Sequence, residues 1–381
     1  VVQPFKITIA DNVLEDLRTR LVAARLPISL DETSWDDGAS LTFTGKAVDH
    51  WRTRFDWRRQ EARLNELPQF VADIDGLAIH FVHVKGIGRA PMPLVLTHGW
   101  PGSFTEFERI IPLLTDPGAH GGDPRDSFSV VVPSLPGFGF SSAPRMTGTG
   151  SRTIAGMWHH LMTSLGYERY GAQGGDIGSG VSLWLARLFP AHVIGAHLNY
   201  VSAGLQPTIL PHEEMTAEEA RFRQTAADWA AKEGAYSALQ STKPQTLAYS
   251  LSDSPTGLAA WIIEKFQAWS DCNGDLESIL SLDTILTDIS LYWFGNNLNA
   301  SLRLYKENRL DPLVFAPGER LKPPVGMAHF PKELPVPPRS WLERVATVTR
   351  WSEMSAGGHF AALEQPQLLA EEIRAFFRPI R

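Results

Sequence analysis

The sequence predicts an α/β fold in which a mostly parallel sheet is interrupted by a helical insertion and preceded by an N-terminal extension. Three observations lead there. From Asp75 onward, short apolar or alternating runs are interleaved with segments of helical periodicity, the pattern of strand and helix units. That alternation stops near Leu205 and resumes after Asp311, with helical periodicity in between. Gly174-Gly175-Asp176-Ile177-Gly178 lies between a strand-like and a helix-like run and has glycines two residues either side of Asp176, as a tight strand-to-helix turn requires. The expected divisions are residues 1–75 as an extension packing on the core, 76–204 and 312–381 as the two parts of the core, and 205–311 as a lid.

In order along the chain, Asp11 is an N-cap candidate for a short helix on which Val13, Leu14, Leu17 and Leu21 recur at helical spacing. Between Arg25 and Leu67, Trp35, Trp51, Phe55 and Trp57 stand among many Arg and Asp residues with few aliphatics. Such a segment packs on another surface instead of folding alone. Leu77–Val84 alternates as a half-buried strand, and Pro93–Thr97 is a buried strand running into His98-Gly99-Trp100-Pro101-Gly102. Ser103-x-x-Glu106 has the form of a capping box, with Phe107, Ile110, Ile111 and Leu114 as the apolar stripe of the helix it opens.

Ser129–Val132 is a third strand, Thr153–Leu165 a helix, and Arg169–Gln173 the strand before the glycine turn. Val181, Trp184, Leu185 and Leu188 mark the following helix, which ends at Pro190, and His192–Asn199 is the next strand. In the insertion, helices are expected over Glu213–Glu233, Pro255–Trp269 and Leu282–Tyr305. Strands at Val325–Ala328 and Val345–Met354 and a helix over Glu364–Phe377 complete the core.

The 381 residues are 43% hydrophobic and 20% charged, as in a soluble globular protein able to bury one large core or two moderate ones. A net charge of −7 without long single-sign runs argues against nucleic acid or an anionic membrane as partner. The single cysteine, Cys272, cannot form an intramolecular disulfide, which fits a reducing, cytoplasmic setting. No run approaches the roughly 18 apolar residues of a membrane span. Val1–Ala10 contains Gln3, Pro4 and Lys6 and has no apolar signal-peptide core. The chain begins at Val1 and not at methionine, which leaves room for residues upstream.

A carboxylate at position 176 is suited to attack on an sp³ carbon, being ionised at pH 7 without help from a base. The product is an ester, whose hydrolysis calls for a histidine, an acid to orient it, and donors for an oxyanion. His359, in Gly357-Gly358-His359-Phe360, follows the last strand and fits the chain order of nucleophile, acid, histidine. Glu333 follows the Val325–Ala328 strand, while Asp311 and Glu319 compete for the role of the acid, and spacing leaves the three undecided. The oxyanion donors are expected to be the backbone N–H groups of Trp100 and Ile177, since Pro101 has none. No second histidine stands at metal-binding spacing from His98, and on a helix the adjacent His159 and His160 diverge.

Five motifs in this order, His98-Gly99-Trp100-Pro101-Gly102, Gly174-Gly175-Asp176-x-Gly178-Ser179, Ser241-Thr242-Lys243-Pro244, Tyr305-Lys306-Glu307-Asn308 and Gly357-Gly358-His359-Phe360, resemble the microsomal-type epoxide hydrolases of the α/β-hydrolase superfamily, a group that includes the insect juvenile hormone epoxide hydrolases. The resemblance covers essentially the whole chain. It implies an α/β-hydrolase core, with Asp176 as nucleophile, His359 as base, Glu333 as the acid, and Tyr236 and Tyr305 as lid donors to the epoxide oxygen. It implies no cofactor and no metal, a small and apolar epoxide as partner, hydrolysis to a diol, and a role in detoxification or natural-product biosynthesis. A homodimer is compatible with it. Haloalkane dehalogenation and non-catalytic ligand binding are the alternatives on the same scaffold. The chain lacks the N-terminal anchor of membrane-bound members, which implies a soluble enzyme. It also carries Ile177 where tryptophan often follows the nucleophile. Abundant Ala, Arg, Gly and Pro suggest a high-GC bacterial source.

Overall fold

The computed structural model describes residues 1–202, 204–209 and 214–381. Its strands are β1 (Val2–Phe5), β2 (Gln69–Ile74), β3 (Leu77–Val84), β4 (Met92–Thr97), β5 (Phe128–Pro133), β6 (Tyr170–Gly174), β7 (Val193–Leu198), β8 (Gln206–Pro207), β9 (Val314–Phe315), β10 (Val325–His329) and β11 (Val348–Glu353). Among the described residues, nine of them form one sheet in the order β1-β2-β3-β5-β4-β6-β7-β10-β11. Pairing is parallel from β5 to β11 and antiparallel from β1 to β5.

The apolar runs of β4 and β5 follow from burial on both faces, as a parallel sheet covered by helices demands. Leu94, Leu96, Val130 and Val132 pack into one core, and Val95 and Val131 into the other, as the two-residue period of a strand dictates. One core receives the Ser151–Ser164 and Asp176–Leu188 helices, and the other receives Ile110–Thr115 and Pro366–Phe377.

The segment before residue 75 supplies two strands that its composition does not announce. β2 pairs with β3 across a two-residue turn at Asp75 (φ +51°) and Gly76 (φ +82°). Asp-Gly between apolar runs is a signal for such a hairpin, and it marks this one. Trp51 and Trp57 sit on helices Leu41–Thr53 and Trp57–Leu64 and are buried, with Trp57 edge-on to Phe294 at 4.7 Å, while Trp35 and Phe55 lie outside these helices and are partly buried. Arg20 on helix Asp11–Val22 binds Asp253, and Lys46 and His50 on Leu41–Thr53 bind Glu277 and Asp283, so the segment also holds the insertion.

Between β7 and β10 the chain forms helices Ala217–Glu233, Ala235–Thr242, Pro244–Asp253, Pro255–Trp269, Leu282–Gly295 and Leu298–Leu310. β8 and β9 pair in parallel at the two ends of this segment and form its neck. The segment expected as one helix over Leu282–Tyr305 breaks at Asn296, which takes the left-handed conformation (φ +47°) that asparagine tolerates and a helix cannot continue through. The helix expected from Glu213 begins at Ala217, where Thr216 and Glu219 form a capping box; Glu213 lies outside the described residues. No such box forms at Ser103. Its hydroxyl accepts the Thr105 N–H, and Glu106 turns under Gly102 instead. Among the described residues, no helix is long and apolar enough to cross a membrane.

Candidate active site

β6 ends at Gly174 and the next helix begins at Asp176, whose φ of +46° is strained for a residue with a side chain. A Cβ on Gly174 would stand 2.2 Å from the Gly178 carbonyl oxygen, and one on Gly178 only 1.9 Å from that of Thr97. Both glycines are therefore required by the close approach of backbones, and the turn they permit lifts Asp176 above the end of the sheet.

The Trp100 N–H donates to Asp176 Oδ1 at 2.8 Å. Ile177 is the second residue of the helix, so its N–H has no acceptor within that helix and is free for the same region. His359 Nε2 lies 3.5 Å from Asp176 Oδ2, and its Nδ1 meets Glu333 Oε1 at 2.5 Å. A parallel bridge between Lys332 and Gly358 draws the two loops together. Of the three competing acids, Glu333 alone reaches the histidine. Glu319 binds Arg187, and Asp311 lies 3.9 Å from Arg152 on the surface.

Burial by itself drives the His359 pKa down. The Glu333 charge and the hydrogen bonds to Asp176 and Glu333 reverse this and hold it well above the ordinary imidazole value.

Tyr236 and Tyr305 project from helices Ala235–Thr242 and Leu298–Leu310 of the insertion over this group. Tyr236 stacks on Trp100 (5.4 Å, 11°), Tyr305 meets Trp100 edge-on at 5.8 Å, and the two tyrosine rings are 5.9 Å apart. Burial and then the Asp176 charge keep the Tyr236 hydroxyl well above its usual pKa, and Tyr305 is raised by burial, Tyr236 and Asp176. Both are donors at any pH near neutrality.

Asp176 separates two spaces. On the side of the insertion a cavity of about 540 Å³ is walled by Ile177, Leu183, Trp184, Trp229, Tyr236 and Tyr305, a size that suits a small organic molecule. On the other side a chamber of about 20 Å³, with room for one water, is lined by His359, Asn199, Gly99 and Glu106. Among the described residues, no group of three or more His, Cys, Asp or Glu side chains could hold a metal ion.

Several neighbours carry no motif. Tyr200 lies edge-on to His359 at 5.6 Å, Trp269 is edge-on to it at 5.1 Å and accepts its N–H, and Lys265 stands 4.6 Å over the Tyr236 ring. Each reaches the site through the packing of the insertion or of the chain after β7, which local spacing does not encode. His98, in contrast, is structural: its Nε2 accepts the Leu135 N–H in the core.

The chain matches the model of the epoxide hydrolase N terminus over residues 2–107 and that of the alpha/beta hydrolase fold over residues 92–366. It is 46% identical to a protein of Stigmatella aurantiaca described as a candidate epoxide hydrolase, covering 100% of this chain and 86% of that one. Identity to epoxide hydrolase 1 of Sus scrofa is 39%, over 98% of this chain and 88% of the relative. The epoxide hydrolase of Aspergillus niger has a solved structure that superposes with a TM-score of 0.86 at 34% identity, covering 100% of this chain and 97% of that one. An N-terminal segment and a hydrolase-fold segment that each match their own model, joined in one chain with relatives along its whole length, make this protein a member of the epoxide hydrolase family with the α/β-hydrolase fold.

Proposed function

We propose that the protein hydrolyses an apolar epoxide to a vicinal diol through an ester on Asp176. The observation that carries this is the juxtaposition of Asp176 with two neutral phenols on its lid side and a carboxylate-backed histidine on the other. The Trp100 N–H holds Oδ1, leaving Oδ2 to attack a ring carbon. As the carbon–oxygen bond breaks, the alkoxide takes a proton from Tyr236 or Tyr305, which a phenol kept protonated by burial can supply.

Ester formation removes the charge of Asp176, one of the groups that hold the His359 pKa up. The His359 pKa therefore falls after ring opening, so the imidazolium releases its proton, which restores the phenol that protonated the alkoxide, and His359 stands neutral when a base is needed. It takes a proton from a water in the small chamber, hydroxide adds to the Asp176 carbonyl carbon, and the Trp100 and Ile177 N–H groups stabilise the oxyanion. Collapse expels the diol oxygen, which takes the proton of the added hydroxyl, and restores the carboxylate beside an imidazolium that Glu333 holds in place, as at the start of the cycle. In this reading residues 205–311 act as the lid that supplies the phenols, closing on the core formed by 76–204 and 312–381, with 1–75 bracing both.

Single turnover of excess enzyme in ¹⁸O-water tests the scheme. The label is expected in the Asp176 carboxylate, with unlabelled diol from the first turnover. Labelled first-turnover diol refutes the ester.

A further inference from the structure

Glu364 takes no part in the scheme above, yet its carboxylate gathers the backbone around His359. Oε2 accepts the amides of Asp271 (2.7 Å) and Gly358 (3.0 Å), and Oε1 accepts that of Phe360 (3.0 Å). Gly358 and Phe360 flank His359, so one side chain holds the peptide on both sides of the imidazole. His359 donates its own N–H to the Trp269 carbonyl (2.9 Å), and Gly357 donates to Asp271 Oδ2 (2.9 Å). A Cβ on Gly358 would fall 2.5 Å from the Trp269 carbonyl oxygen, so the histidine loop and the end of the lid helix Pro255–Trp269 are in direct contact.

Three amides aimed at one carboxylate form a set that only an acceptor can complete. Burial drives the Glu364 pKa up to about 7, against the pull of the three amides and of His359. A glutamine in its place has one accepting lobe and one donating lobe, so it must turn an NH₂ against at least one backbone N–H.

We propose that Glu364 is a positioning residue for His359: by binding the amides on either side of it, and that of Asp271, it fixes the reach of Nε2 toward Asp176 and ties that reach to the lid. The inference rests on the reading of His359 as the base of the second half-reaction. Its consequence is selective, since His359 is not needed for the attack of Asp176 on the ring.

Wild type, Glu364→Gln and Glu364→Asp are compared in single turnover with styrene oxide, following ester formation and decay by rapid quench and intact mass. In Glu364→Gln the ester decays about 10- to 100-fold more slowly, the scale of a base displaced by a fraction of an ångström to one ångström, while its formation stays within about twofold. kcat and KM then fall together and kcat/KM is preserved. Glu364→Asp, which keeps the charge but is one methylene shorter, falls between. Decay within twofold of wild type in the Gln variant overturns the inference, as does an equal fall in formation and decay, which marks a scaffold effect. A wild type that forms no ester refutes the base role itself and the inference with it.

Discussion

Gly99→Ala isolates the contact between the Trp100 loop and Asp176, the proposed nucleophile. Gly99 does not adopt a positive φ, so alanine brings no backbone strain of its own. Its Cβ would stand 2.2 Å from Asp176 Oδ1, 2.4 Å from Asp176 Cβ and 2.6 Å from Cγ. Rotation can move the oxygen aside, but Asp176 Cβ is fixed to the elbow backbone. Taking that contact from 2.4 Å to the 3.0 Å below which real Cβ contacts essentially do not occur requires at least 0.6 Å of separation between loop and elbow. Such overpacking costs about 1–3 kcal/mol of stability. It also shifts the Trp100 N–H, now 2.8 Å from Oδ1, away from its acceptor. A misplacement approaching 1 Å at a reacting group costs about 100-fold in rate. Ester formation, measured by rapid quench with excess enzyme, is expected to slow by about that factor in a variant that still melts cooperatively. Gly156→Ala is the control, because nothing lies within 4 Å of its added Cβ, and it should leave the rate unchanged. Gly99→Ala forming ester within threefold of wild type refutes the packing argument.

His359→Gln should form the ester and fail to release it, so that intact mass rises by one substrate and turnover falls about 10²- to 10⁴-fold, the usual contribution of a general base; absence of an adduct refutes the assignment. Ile177→Trp should narrow the 540 Å³ cavity where Ile177 lines it, reducing kcat/KM for bulky epoxides by about tenfold or more, with little effect on the smallest; an unchanged substrate panel removes Ile177 as a determinant. Asp288 is buried, and burial raises its pKa to about 7, against a partial offset from the Ser103 and Thr105 hydroxyls. The folded state thus holds its proton where the unfolded chain, at 3.8, releases it, so the stability this gives is full below pH 3.8 and is lost as pH rises through 7. Urea unfolding at pH 4.5 and pH 8 should show wild type losing roughly 3 kcal/mol more than Asp288→Asn, and parallel changes in the two would refute the assignment.

The core was legible because parallel strands buried on both faces must be continuous apolar runs, and β4 and β5 are just that. The helices of the insertion were legible as helices, but the break at Asn296 was not, because apolar helical spacing continues on both sides of Gly295-Asn296-Asn297 and masks the stop signal those residues carry. β1 and β2 escaped for a different reason. Val2–Phe5 and Gln69–Ile74 are short and alternate imperfectly in burial, so their place is fixed by pairing, β2 with β3 and β1 at the edge with β2, and not by their own composition. The one local clue was the Asp75-Gly76 turn.

At the site, the residues that sequence could name are those forced by backbone geometry. Gly174, Gly178 and Gly99 exist because a Cβ at each would strike the neighbouring chain, and that necessity writes the motif around Asp176. His359 is named by the loop that follows the last strand. Glu333 shows where spacing gives out: three acids were equivalent along the chain, and what separates them is the bridge from Lys332 to Gly358, a contact between loops 26 residues apart. Tyr236 and Tyr305 lie further beyond local reading, because they meet over Asp176 only when the inserted helices pack back from the neck made by β8 and β9. Glu364 belongs to the same class. Its sequence position, five residues after His359, suggests a helix start, but its three amide donors come from two segments that approach only in the folded chain. The chemistry of the nucleophile is therefore local in the sequence, whereas the groups that steer it are assembled by the topology.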